Sequence, residues 1–150
     1  MNILQEINQK SFKTNTEKAM VNLLFTYNWH RDYYKDIYEA YGIKSQHYNV
    51  LRILRGKNPD PCSPGEIKEV MLDKSPDLTR LLDKLVDMDL VQRNLCQENR
   101  RMMDVYITSE GEKTLNEIEI KYKSVNNKRK SKFTEEDAAR LSDLLDKFRE

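Results

Sequence analysis

The sequence predicts a mainly α-helical fold carrying one small antiparallel β-hairpin, and three observations lead there. Apolar residues recur at helical spacing along most of the 150 residues, as in helices with a buried side. Glycine and proline number only four each, few enough for long uninterrupted helices. Between Leu90 and Ile107 the period becomes that of strands, around a polar tip.

Taken in order, Met1 to Lys10 holds Ile3, Leu4 and Ile7 in a short amphipathic segment. A long helix follows, with Thr14 as its cap and Glu17 closing a capping box. Met20, Leu23, Leu24, Tyr27, Arg31, Tyr34, Ile37, Tyr38 and Tyr41 follow one face of it, and Val21, Phe25, Trp29 and Tyr33 another. A helix apolar on two faces must bury both, and a small domain has little to cover the second with. A partner chain is the economical cover. Gly42 ends this helix. Ser45 caps the next, in which Tyr48, Leu51 and Leu54 face inward. After the connector from Gly56 to Cys62, Ser63-Pro64-Gly65-Glu66 is a second capping box with proline in the first turn. Ile67, Val70, Met71 and Leu72 give that short helix its core side.

The rest of the chain supports the stretch from Ser75 to Ile107. Ser75 is placed to cap a helix with Pro76 at its first position, where the missing N–H costs nothing. Leu78, Leu81, Leu82, Leu85 and Met88 form one apolar stripe, leaving Thr79, Arg80, Asp83, Lys84 and Asp87 on the other face. Leu90-Val91 and Met103-Val105-Ile107 read as strands, with Gln97 to Arg101 as the hairpin tip. Two short helices and an arginine-tipped hairpin suggest a winged helix-turn-helix, whose second helix enters a DNA major groove while the wing reaches a minor groove. Beyond the hairpin, Ser109 and Glu112 form a further box, and Leu115, Ile118 and Tyr122 continue a helix. The last helix starts at Thr134, with three acids favourably placed against its dipole and a stripe of Ala138, Leu141, Leu144, Leu145 and Phe148.

LTRLLDKLVDMDLVQR followed by CQENRRMMDVYITSEGEKTL resembles the multiple-antibiotic-resistance regulator (MarR) family of bacterial transcription factors. That family's wing usually carries Asp-Arg-Arg, then a strand, then Leu-Thr-x-x-Gly opening the next helix. Here Asn99-Arg100-Arg101 and Ile107-Thr108-Ser109-Glu110-Gly111 occupy those places, with Asn99 where the family usually has Asp. The resemblance implies one domain over residues 1–150. Dimerisation helices would lie at 11–41 and 109–150, and the winged helix-turn-helix at 45–108. It also implies a homodimer on a pseudo-palindromic double-stranded operator, and a dimeric repressor released by a small aromatic effector.

Thr79 and Arg80 are the candidates for base contacts, since arginine grips guanine bidentately and threonine offers a hydroxyl and a methyl. Lys74, Ser75 and Lys84 are candidates for phosphate, which positions without specifying. Either Arg100 or Arg101 would enter the minor groove, where A·T-rich tracts concentrate negative potential. Trp29, Tyr33, His47 and Tyr48 are the candidates to line an effector cleft, the plainer reading being ordinary core aromatics.

Composition limits these readings. The net charge is only +1, so DNA affinity must come from local clustering: Lys74, Arg80 and Lys84 on the helix, Arg93, Arg100 and Arg101 around the wing. Asp77, Asp83 and Asp87 oppose it. They favour the rival class, a winged-helix protein-interaction module that does not bind DNA. The run from Lys121 to Lys132 has six bases and no acid and reads as a solvated connector. Cys62 and Cys96 read as small semi-buried residues, not sensors or a disulfide. His30 and His47 make no metal-ligand pattern, and no nucleophile–base pairing or phosphate-binding glycine loop stands out. The expectation is a non-enzyme without metal or cofactor. With no apolar run of spanning length, it is also expected to be cytoplasmic.

Overall fold

The computed structural model describes residues 2–96, 102–127 and 133–150. Among these the order is α1 (Ile3–Glu6), α2 (Asn15–Glu39), α3 (Ser45–Lys57), α4 (Pro64–Val70), α5 (Leu78–Asp87), β1 (Val91–Leu95), β2 (Met103–Ile107), α6 (Ser109–Asn127) and α7 (Glu135–Arg149). The chain divides into two units, Met1–Lys44 and Ser45–Glu150.

In the first unit, Asn2 and Gln5 close a capping box on α1, which buries Ile3. The hydroxyl of Thr14 accepts the Glu17 N–H and caps α2 as expected. The carboxylate of Glu17 accepts from Lys13 N instead, so the reciprocal half of the box falls one residue early. Along its 25 residues α2 buries only Tyr34 and Tyr38. Gly42, at φ 67°, makes the left-handed turn that stops the chain from continuing as helix.

In the second unit, α3, α4 and α5 pack on the hairpin and α6. The core is built from Val50, Leu51 and Leu54 of α3, Ile67 of α4, Leu82 and Leu85 of α5, Val105 of β2, and Leu115 and Ile118 of α6. The hairpin is antiparallel, with Val91 opposite Ile107, Arg93 opposite Val105 and Leu95 opposite Met103. Cys62 adds one rung on the far side of β2: its N–H donates to Val105 O at 3.0 Å and its carbonyl accepts from Val105 N at 3.1 Å. This rung buries the Cys62 thiol, and desolvation pushes its pKa up, the opposite of what a reactive thiolate needs.

Several local expectations are corrected. The cap of α5 is Asp77, not Ser75. Ser75 instead gives its hydroxyl proton to Asp73 at 2.6 Å, and Lys68 Nζ holds the Pro76 carbonyl at 2.7 Å, so Ser75-Pro76 belong to the turn. Ile67 and Met71 are buried as expected, but Val70 and Leu72 are 60% and 90% exposed. The backbone becomes extended at Met71, which turns Leu72 outward. Leu90 lies outside β1; its N–H bonds to Leu85 O and closes the end of α5. The cap of α6 is Thr108, not Ser109: its Oγ1 donates to Asp89 O at 2.6 Å and accepts from Gly111 N at 3.0 Å. Helix α6 runs on to Asn127, so the first half of the basic run is helical, and 128–132 lie outside the described residues.

Candidate nucleic-acid interface

The face of α5 opposite its leucines carries Thr79, Arg80, Asp83, Lys84 and Asp87, all exposed. Leu78, Leu81, Leu82 and Leu85 are buried, so the helix cannot rotate without exposing its stripe, and the polar face is fixed outward. Asp77 Oδ1 accepts from Thr79 N at 3.0 Å and Arg80 N at 3.5 Å, so one expected opponent of DNA binding serves as the helix cap. The same carboxylate lies 3.5 Å from Arg80 Nε. That pair is highly exposed and therefore weak, so Arg80 can exchange it for another acceptor.

Of the phosphate candidates, Lys74 and Lys84 are exposed. Ser75 is exposed too, but its N–H and hydroxyl both go to Asp73, whose carboxyl these bonds hold below the usual carboxylate range. A phosphate at Ser75 would have to displace that bond. The tip residues Asn99, Arg100 and Arg101 lie outside the described residues.

A feature not anticipated from the sequence is the ion pair between Arg93 of β1 and Asp83 of α5. No local pattern signals it, because the partners are ten residues apart and on different elements. The Asp77 cap could have been found, since it directly precedes the first buried leucine of the helix.

The aromatic candidates divide between the two units. On α2, Trp29 and Tyr33 are exposed with ring centroids 5.5 Å apart, and with Phe25, Asn28 and Asp32 they line a trough along the helix. On α3, His47 is buried, and the half-buried Tyr48 stacks on Tyr122 of α6 at 5.6 Å.

Two short helices joined by a turn, the second leucine-backed and followed by an antiparallel hairpin, define a winged helix-turn-helix protein. The MarR family profile matches residues 41–102, from the end of the first unit through α5 and β1. The HTH-type transcriptional regulator PapX of Escherichia coli is 33% identical over 76 residues, covering 51% of this chain and 46% of PapX. The chain thus aligns with about half the length of that relative. A MarR transcription factor from Planctomyces limnophilus has a similar structure, with TM-score 0.69 and 29% identity over 91% of this chain and 98% of the other. The S. aureus MepR–DNA complex shares the fold, with TM-score 0.74 and 16% identity over 90% and 96% of the two chains. Over residues 41–102 the chain is thus similar to the MarR family, and its fold is that of the winged-helix structures it matches.

Proposed function

We propose that this chain is a sequence-specific DNA-binding transcriptional regulator of the cytoplasm. In this reading it acts as a homodimeric repressor on a pseudo-palindromic operator. The observation that carries the reading is the outward face of α5, where Thr79 and Arg80 stand exposed in the first turn of a helix anchored by four buried leucines. The protein-bound DNA of the similarly folded MepR supports the same use of the fold. Thr79 and Arg80 read bases, Lys74 and Lys84 hold phosphate, and Ser75 joins them if it releases Asp73. Arg100 or Arg101 reaches the minor groove.

Dimerisation is supported by the apolar surface left on the outer helices. Met20, Leu24 and Tyr27 of α2 and Leu141, Leu144 and Phe148 of α7 are all exposed. Two copies grip two half-sites only when their reading helices stand about one DNA turn apart, ~34 Å. A small aromatic effector held by Trp29 and Tyr33 along α2 releases DNA by favouring another separation. Saturable quenching of Trp29 by aromatic acids is the expected sign of it.

The test is selection of bound duplexes from a random library, followed by fluorescence anisotropy on the enriched duplex. Arg80→Ala should weaken binding by about 1–3 kcal/mol and relax the preference at one base pair. Unchanged affinity and preference would remove Arg80 from its role. A second reading, docking on another protein, is favoured by the exposure of Leu72 and Val70 beside the helix-turn-helix. Steep weakening of DNA binding with salt, and its loss when Arg100 and Arg101 are both replaced, separates the two.

A further inference from the structure

The reading face of α5 contains an acid that DNA should not tolerate. Asp83 lies three residues after Arg80 and four after Thr79, so it shares their face one turn further along. Its side chain is 55% exposed. A bare carboxylate there would face phosphates and the acceptor-rich edges of the major groove, and within the ~8–10 Å reach of charge in ordinary salt it would repel them. Asp77 avoids this by capping the helix; Asp83 has no such duty.

What Asp83 has is Arg93. This arginine sits at the centre of β1, opposite Val105, and donates from Nη2 to Asp83 Oδ1. Its side chain is only 22% exposed, against 87% for Arg80. An arginine so far covered is poorly placed to reach out to phosphate. It is well placed to hold a neighbour.

We propose that Arg93 is a positioning residue for DNA recognition: it cancels the Asp83 charge on the reading face and ties β1 of the hairpin to α5. The inference rests on the DNA-binding reading above. It moves Arg93 out of the group of cations that contact the nucleic acid and into the support beneath it. It also explains how a chain of net charge +1 presents a usable reading helix, since two of the three acids of α5 and its cap are already engaged.

The experiment is a double-mutant cycle read by anisotropy on the duplex enriched by the wild-type chain, at low ionic strength, with thermal melts of every variant. Arg93→Ala, which bares Asp83, should weaken binding about tenfold, and Asp83→Asn alone should change it by less than about twofold. The double variant should recover to within about threefold of wild type, because the unpaired charge is gone. A merely structural pair would give a double variant as weak as Arg93→Ala, with melting falling in step. Direct phosphate contact by Arg93 would give the same persistent loss without a melting change. Either result overturns the proposal, as does an Arg93→Ala chain that binds like wild type. If Arg93→Ala does not fold, Arg93→Gln takes its place with the same criteria. A wild-type chain that enriches no duplex at all defeats the DNA-binding reading itself, a failure visible before any variant is made.

Discussion

In α5, Leu78, Leu81, Leu82 and Leu85 are all buried; in α7, Leu141, Leu144 and Phe148 are all exposed and no residue is buried. The two helices carry the same kind of stripe, and the periodicity that reveals one reveals the other. The difference lies in what surrounds them. Helix α5 packs on α3, α4 and β1 of its own chain. The stripe of α7 has no comparable cover among the described residues, and α2 leaves Met20, Leu24 and Tyr27 exposed as well. A stripe therefore states a need for burial without stating which chain supplies it. In our proposal the helix that reads DNA is completed within one chain, and the exposed stripes of α2 and α7 are the ones that a second copy covers.

The largest effect expected is at the centre of the self-contained region. Leu85 is fully buried, and Leu85→Ala should cost about 2–5 kcal/mol in urea unfolding, from lost transfer energy and the cavity left behind. Leu144→Asp should behave differently. It should keep the helical circular dichroism of the chain while shifting sedimentation toward monomer, because a charge on an exposed stripe disturbs only what docks there. A Leu144→Asp chain as associated as wild type would break the comparison.

Gly111 sharpens it from the other side. It is buried in the first turn of α6, where a Cβ would stand 2.2 Å from the Leu90 carbonyl oxygen and 2.8 Å from Ile107 Cγ1. The carbonyl is backbone and cannot turn away, since it also accepts from Thr108 N at 3.1 Å. Gly111→Ala should therefore cost about 1–3 kcal/mol, read by thermal melting, with no effect on association. The close approach of α6 to the end of α5 is the physical reason for glycine at this point of the Thr-x-x-Gly sequence.

Much of this was legible because it is local. The Ser63–Glu66 box, the leucines of α5, the strand at Met103–Ile107 and the stop at Gly42 each depend on residues within a few positions of one another. What was missed depends on distant partners. Ser75 and Asp77 are both competent caps, and the choice between them follows from Asp73 and Lys68 fixing the turn. Thr108 displaces Ser109 because Asp89, two residues past the end of α5, offers its carbonyl. Leu72 looks like core from its type and spacing, yet the helix ends before it and the Asn49 side chain binds its N–H in the turned-out position. In the candidate site, Thr79 and Arg80 could be placed on one exposed face from spacing alone. The Asp83–Arg93 pair could not, because it exists only once the hairpin has folded back on the helix.

The smallest effect expected concerns the ion pair that holds α6 to α3 just before α6 becomes exposed. Arg55 donates to both carboxylate oxygens of Glu119 and also to Asn116 Oδ1 at 3.2 Å. One residue on, Ile120 is 66% exposed. The hydrogen bonds from Arg55, partly offset by desolvation, hold the Glu119 carboxyl below its ordinary value. A lowered folded-state pKa means the stabilisation is fully present above the unfolded value, about 4.3, and disappears as pH falls through the folded one. Both side chains are close to one-third exposed, so solvent screening keeps the contribution to roughly 1 kcal/mol. Between pH 7 and pH 5, wild type and Glu119→Gln should differ by about that amount, and the difference should shrink as acidification below about 4.3 carries the carboxyl through its lowered folded value. A difference that stays constant down to the acid transition would mean that Glu119 holds α6 by packing alone, and that the boundary between its covered and uncovered halves is set by Leu115 and Ile118 without help from charge.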